Sequence, residues 1–124
     1  MAIHKSGEDY LEAILIIKNK KGKVKSTDVA SFLNYSRPSV CNAVDLLQKD
    51  GFLIMDDRKH LELTPKGLII AKKMYDRHCF LTDLLKNIGV DEETAEKESC
   101  QIEHILSETT FNLIKQTYYE YTKK

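Results

Sequence analysis

Apolar residues recur along the chain with two different periods, and the places where the period changes mark the elements. Tyr10, Ile14 and Ile17, with Leu11 and Leu15 beside them, repeat at helical spacing and predict an amphipathic helix from about residue 6 to residue 20. Ser6 with Asp9 three residues later reads as its capping-box start, and Gly22 as its stop. A short second helix has Val29, Ala30 and Leu33 on its buried face, with Ser26 or Thr27 as the cap, and Asn34-Tyr35 makes a turn. Ser36 then caps a third helix that tolerates Pro38 in its first turn; Val40, Ala43, Val44 and Leu47 give the i, i+3, i+4, i+7 stripe, and Gly51 ends it. Beyond Gly51 the pattern shortens. Phe52 to Met55 predicts a short buried strand, residues 56–60 a polar turn, and Leu61-Glu62-Leu63 a returning strand.

Two short helices joined by a tight turn and followed by a hairpin predict a winged helix-turn-helix over residues 1–67. Thr64-Pro65 opens a long helix to about Asn87, with Leu68, Ala71, Tyr75, His78, Leu81, Leu84 and Leu85 as its apolar stripe and Met74 alongside. Gly89 breaks it. Asp91 caps a helix from Glu92 to about Leu106, and Ser107 starts a last one through Phe111, Leu113, Ile114, Tyr118 and Tyr121. The fold class is therefore mainly α, with an N-terminal winged helix-turn-helix followed by a helical domain over residues 68–124. Its three helices carry more apolar surface than they need for themselves, which predicts a homodimer formed through them.

Composition narrows the function classes. The 124 residues suit one small chain with a real core, and 42% hydrophobic with 31% charged residues is ordinary for a soluble protein. No apolar run reaches the length of a membrane span, and Glu8, Asp9 and Glu12 interrupt any signal-peptide pattern, so the expected location is the cytoplasm. Three irregularly spaced cysteines argue against a disulfide framework. Formal net charge is zero, with a surplus of two cations over residues 1–67. The run Lys18, Lys20, Lys21, Lys23 and Lys25 reads first as a solvated helix end, although it can approach phosphates.

Candidate chemistry lies in three places. On a continuous helix Cys100, Glu103 and His104 would stack on one face, presenting a thiol, a carboxylate and an imidazole, the side chains that bind divalent transition metals. Asp9 and Glu12 sit three apart on the first helix, where acids also complement the helix dipole. His78 lies within an apolar stripe, where a lone histidine is more often a hydrogen-bonded core residue. Cys79 reads as packing, and Cys41 has no assigned role. For DNA, Arg37, Ser39 and Asn42 lie off the apolar face at the start of the third helix and suit base edges, Ser36 stands beside them, and Pro38 suits a thymine methyl. Thr27, Lys49, Arg58 and Lys59 suit phosphates.

The motifs together resemble the diphtheria toxin repressor family of metal-dependent transcriptional regulators, most closely its short manganese-transport branch. They are Glu8-Asp9-Tyr10-Leu11-Glu12, Thr64-Pro65-Lys66-Gly67, Arg77-His78, Ile88-Gly89-Val90-Asp91, and Cys100-x-x-Glu103-His104-x-Leu106-Ser107, in one order across essentially the whole chain. The resemblance implies a metal site built from Asp9, Glu12, His78, Cys100, Glu103 and His104, in a dimeric repressor that binds a double-stranded operator when metal is bound. The residue matching Cys100 is a Glu in the manganese branch. A Cys there belongs to the iron branch, which has a Met in place of Asp9 and carries an extra C-terminal SH3-like domain for which residues up to Lys124 offer no sequence. Carboxylates favour Mn²⁺ as the expected cofactor, and the thiolate keeps Fe²⁺, and behind it Co²⁺ or Zn²⁺, as alternatives. The expectation is a regulator and not an enzyme. A metal-independent winged-helix regulator sensing a small molecule would share the DNA features, and a metallohydrolase could use similar ligands, although no separate general base or nucleophile constellation is evident.

Overall fold

The computed structural model describes residues 5–123 and contains six helices and one two-stranded sheet, in two compact units spanning residues 1–75 and 76–124. The first unit contains α1 (Lys5–Lys21), α2 (Ser26–Leu33), α3 (Arg37–Lys49), β1 (Leu53–Met55), β2 (Leu61–Leu63) and the opening of α4 (Pro65–Asn87). The rest of α4, with α5 (Glu92–Ile102) and α6 (Glu108–Thr122), makes the second.

The core of the first unit is the stripe that the periodicity marks. Leu11, Ile14, Val29, Val40, Val44, Leu53 and Leu61 are buried together with Val24. Each face exists because its apolar residues return every three or four positions, so burying the stripe removes most of the helix's apolar area from water. The wing pairs antiparallel with Leu53 opposite Leu63 and Met55 opposite Leu61. Asp56 closes its turn by accepting from the backbone N–H groups of Arg58 and His60 at 2.9 and 2.8 Å. Lys59 sits there at φ 64°, in the left-handed region.

Four local expectations change. Ser6 lies within α1, not ahead of it. At α2 the N-cap is Lys25, not Ser26 or Thr27, and its backbone N–H donates to Asp28 Oδ2 at 2.9 Å, the bond in which a first-turn carboxylate reaches back to the cap residue. Leu68 is exposed, so the buried face of α4 starts at Ala71 and continues through Met74 and Leu81. Most consequentially, α5 stops at Ile102, and Glu103 is its C-cap.

The motif Thr64-Pro65-Lys66-Gly67 now has a physical meaning. The Thr64 hydroxyl donates to the carbonyl of Gly51 at 2.6 Å and accepts from the N–H of Gly67 at 3.2 Å, capping α4 and tying it to the end of α3 in one residue. Lys66 Nζ donates to the carbonyl of Asp50 at 2.9 Å and lies 4.3 Å over the Phe52 ring. Gly67 meets Phe52 so closely that a Cβ would lie 2.0 Å from the Phe52 carbonyl oxygen.

Candidate metal centre and nucleic-acid face

In the second unit, α4 carries Arg77 and His78 as neighbours, and α5 carries Cys100 in its last turn. Helix α5 ends at Ile102, whose carbonyl accepts from the N–H of Ile105 at 3.1 Å, and the turn beyond it is held from α4. The buried Arg77 guanidinium donates through Nη1 to the carbonyl oxygens of Glu103 at 3.0 Å and Leu106 at 2.8 Å. It also lies 4.9 Å from the centre of the Phe111 ring on α6. The first of these bonds satisfies the carbonyl of the C-cap residue, and the second that of the residue before Ser107. A turn over residues 103–106 follows, and Ser107 caps α6 by accepting from the N–H of Thr110 at 3.0 Å.

The consequence for the donor groups is direct. Glu103 is fully buried, with its carboxylate between two imidazoles: Oε2 lies 3.0 Å from His78 Nδ1 and Oε1 lies 3.2 Å from His104 Nε2. One donor atom each of His78, Cys100 and Glu103 lie within 4.8 Å of one another. The helical-face argument therefore holds for Cys100 and Glu103, whereas His104 stands beyond the helix and approaches the opposite oxygen of the same carboxylate. The Cys100 thiol and the Glu103 carboxylate, through their hydrogen bonds, push His78 up to about 10. An arriving cation has to displace that proton.

The donor chemistry fits a transition-metal ion. Metal–ligand bonds of about 2.0–2.3 Å put two ligands of one ion about 3–4.5 Å apart, so His78, Cys100 and Glu103 need little rearrangement to share one. Asp9 and Glu12 both lie on α1 in the first unit, Asp9 half-buried and Glu12 buried. A carboxylate at 4% exposure is costly unless it is compensated, and this separates Glu12 from an ordinary surface acid. Sequence reasoning gave Arg77 no role of its own. The signal was available: a charged residue one position from His78, in register with the buried Met74 and Leu81.

The residues that the sequence offers for DNA contact are all exposed. Ser36, Arg37, Pro38, Ser39 and Asn42 are exposed at the N-terminal half of α3, where Ser36 caps the helix by accepting from the N–H of Ser39 at 3.3 Å. Thr27 is exposed on α2, Lys49 at the end of α3, and Arg58 and Lys59 on the wing turn. Cys41 and Cys79 are exposed thiols.

Comparison with known proteins places these features in context. Residues 3–61 match the N-terminal DNA-binding domain of the iron-dependent repressors, and residues 64–122 match the metal-binding and dimerisation domain of the same proteins. The chain is 39% identical over 102 residues to the HTH-type transcriptional regulator MntR of Lysinibacillus sphaericus, covering 82% of this chain and 73% of that one. It is 40% identical over 102 residues to MntR of Bacillus subtilis, covering 82% and 72%. Among solved structures, IdeR of T. acidophilum superimposes with a TM-score of 0.78 at 25% identity, covering 95% of this chain and 55% of that one. The chain thus spans about half the length of that structure.

Proposed function

Because the chain belongs to the iron-dependent repressor family, known also as the diphtheria toxin repressor family, we propose that it is a transcriptional regulator whose operator binding is switched on by a divalent transition metal. The observation that carries this reading is the buried Glu103 carboxylate between His78 and His104, with the Cys100 thiol beside it. A buried carboxylate flanked by two imidazoles and a thiol is a donor set in search of a cation.

The ligand set we propose is Asp9, Glu12, His78, Cys100, Glu103 and His104. An imidazole, a thiolate and one carboxylate fall short of the oxygen-rich, six-coordinate surroundings that Mn²⁺ favours. The acids of α1 would supply the missing hard ligands, in keeping with the family resemblance and with the burial of Glu12. Mn²⁺ is the metal we favour, with Fe²⁺ the alternative that Cys100 allows. Bound metal supplies charge to neutralise the clustered carboxylates. The chain's own residues do the rest: Glu103 orients the two imidazoles, and Arg77 holds the turn that carries Glu103 and His104.

The DNA-binding unit is the winged helix over residues 1–67, with Arg37, Ser39 and Asn42 reading bases and Thr27, Lys49, Arg58 and Lys59 meeting phosphates. The dimer forms through the helical residues 68–124. An apolar groove of about 600 Å³ there is lined by Ile88, Leu113, Ile114 and Tyr121 among others, and Leu113 and Tyr121 are exposed in the single chain. A dimer with fixed spacing can engage two half-sites at once, and metal binding and operator binding then strengthen each other reciprocally, typically by about 1–3 kcal/mol. Anisotropy titration of the promoter region with and without Mn²⁺ tests this. Tighter binding with metal is expected; equal affinity in both conditions refutes the switch.

A further inference from the structure

A second cationic feature lies apart from α3 and from the wing tip. Residues 22–25 connect α1 to α2, and their middle is nailed down: Val24 is buried, and its carbonyl accepts from the N–H of Leu61 on β2 at 2.7 Å. This bond adds the connection to the edge of the wing. Lys25 has extended backbone at φ −114°, ψ 160°. Lys23 and Lys25 flank the buried Val24, and both are exposed. Val24 is thus turned into the core while the lysines on either side of it face one concavity.

The lysines line a concavity of about 450 Å³ together with Lys21, Gly22, Asp28 and His60. Asp28 is already committed. Its Oδ1 pairs with Lys21 Nζ at 2.8 Å and its Oδ2 accepts from the Lys25 backbone at 2.9 Å. Among the described residues no ion pair involves Lys23 or Lys25. The concavity therefore holds two ammonium groups outside any ion pair of the described residues, on a connection bonded to β2, at the start of the first helix of a helix-turn-helix and beside the stem of its wing. His60 also leads directly into Arg58 and Lys59.

We propose that this cleft is a sequence-independent phosphate clamp for the DNA backbone, with Lys23 and Lys25 as its contacts. The proposal rests on the DNA-binding reading above. In helix-turn-helix proteins the first helix crosses the backbone, and here Lys25 is the N-cap of that helix with Lys23 two residues ahead of it. Lys18 and Lys20, exposed in the last turn of α1, do not line this concavity.

Each phosphate contact that releases a counterion contributes about 0.9 to the slope of log affinity against log salt. The test is fluorescence anisotropy of two labelled duplexes, the promoter region and a random sequence, over a salt series with the metal-loaded full chain. The double variant K23A/K25A removes two contacts from each protomer of the dimer and should lower the slope by about 3.6 on both duplexes. The control K72A/K73A removes the same charge from exposed positions on α4 and should leave the slope within about half of one contact. An unchanged slope for K23A/K25A, or an equal drop for the control, overturns the clamp. So does competition by poly-glutamate as effective as by DNA of equal charge, because the cleft would then be a general polyanion sink. Metal-independent promoter binding by the wild type would sink the switch, while a reduced slope for K23A/K25A in the same data would still support the clamp.

Discussion

The Arg77 guanidinium donates to the carbonyl oxygen of Glu103 at 3.0 Å, so a side chain on α4 holds the backbone of the residue whose carboxylate joins His78 to His104. The same nitrogen reaches the carbonyl of Leu106 at 2.8 Å and so spans the whole turn between α5 and α6. Hydrogen bonds from a charged group contribute about 1.5–3 kcal/mol each, and the two carbonyls would be left without this partner on truncation. Arg77→Leu should therefore destabilise the protein by about 2–4 kcal/mol in urea melts. At temperatures where the variant remains folded, metal affinity should fall about 10–100-fold, the usual cost of losing a group that orients ligands. Arg77→Lys should lie between the two. Unchanged metal affinity in a folded Arg77→Leu protein would show that the turn holds its shape without the guanidinium.

The fold was largely legible because it depends on local patterns. The stripes Val40–Val44–Leu47 and Tyr10–Ile14–Ile17 are buried as their spacing demands, and Gly51 and Gly89 stop helices at φ 83° and 111°. What the pattern could not show was the end of α5. Nothing in Cys100 to Leu106 breaks a helix by propensity; the turn that follows Ile102 is bonded at Glu103 and Leu106 by Arg77, more than twenty residues earlier in sequence, a contact no local pattern reveals. The candidate site was thus legible in residue types and only partly in geometry. His104 reaches the carboxylate from a turn, and its helical spacing from Cys100 is incidental.

The thiol of Cys100 is the one soft donor beside His78 and Glu103, so it should set the metal preference. Cys100→Glu replaces thiolate by carboxylate and should shift the Mn²⁺ to Zn²⁺ affinity ratio toward Mn²⁺ by about tenfold or more, since hard oxygen suits manganese and thiolate suits zinc. Cys100→Ser should weaken Zn²⁺ and Co²⁺ more than Mn²⁺. In the wild type, Co²⁺ should give a near-ultraviolet sulfur-to-metal charge-transfer band that both variants lose. A Co²⁺ complex without this band would remove Cys100 from the ligand set.

Asp28 links the end of α1 to the start of α2. Its hydrogen bond with Lys21, and next the one from the Lys25 backbone, hold its carboxyl below the usual carboxylate value of 3.8. A group whose pKa is depressed in the folded state stabilises the protein above its unfolded pKa, and that contribution is lost as the pH falls through the folded one. Asp28→Asn should therefore lower stability at neutral pH and flatten its loss below about pH 4. Thermal melts of both proteins across that range should converge toward acid; parallel curves would mean that the carboxylate contributes no net charge effect.

Gly67 is the position at which the sequence leaves least room for change. It opens the first turn of α4, where its N–H is taken by the Thr64 hydroxyl, and its missing side chain lets the backbone of Phe52 approach. A Cβ would lie 2.0 Å from the Phe52 carbonyl oxygen and 3.0 Å from its carbonyl carbon. That neighbour cannot swing aside, because the Phe52 carbonyl accepts from the N–H of Thr64 at 3.1 Å and the buried ring packs beneath Lys66. Relief requires α4 to move away from the base of the wing, breaking the bonds from Thr64 and Lys66 to Gly51 and Asp50. In an exposed helix Gly→Ala usually stabilises by up to about 1 kcal/mol, so the sign of the effect is the diagnostic. Gly67→Ala should instead cost about 2–4 kcal/mol, at the upper end of overpacking penalties. Urea unfolding measures the loss, and a gain in stability would show that the helix start has slack the geometry denies it. Operator affinity should fall with it, since the hairpin bearing Arg58 and Lys59 is mounted on Phe52.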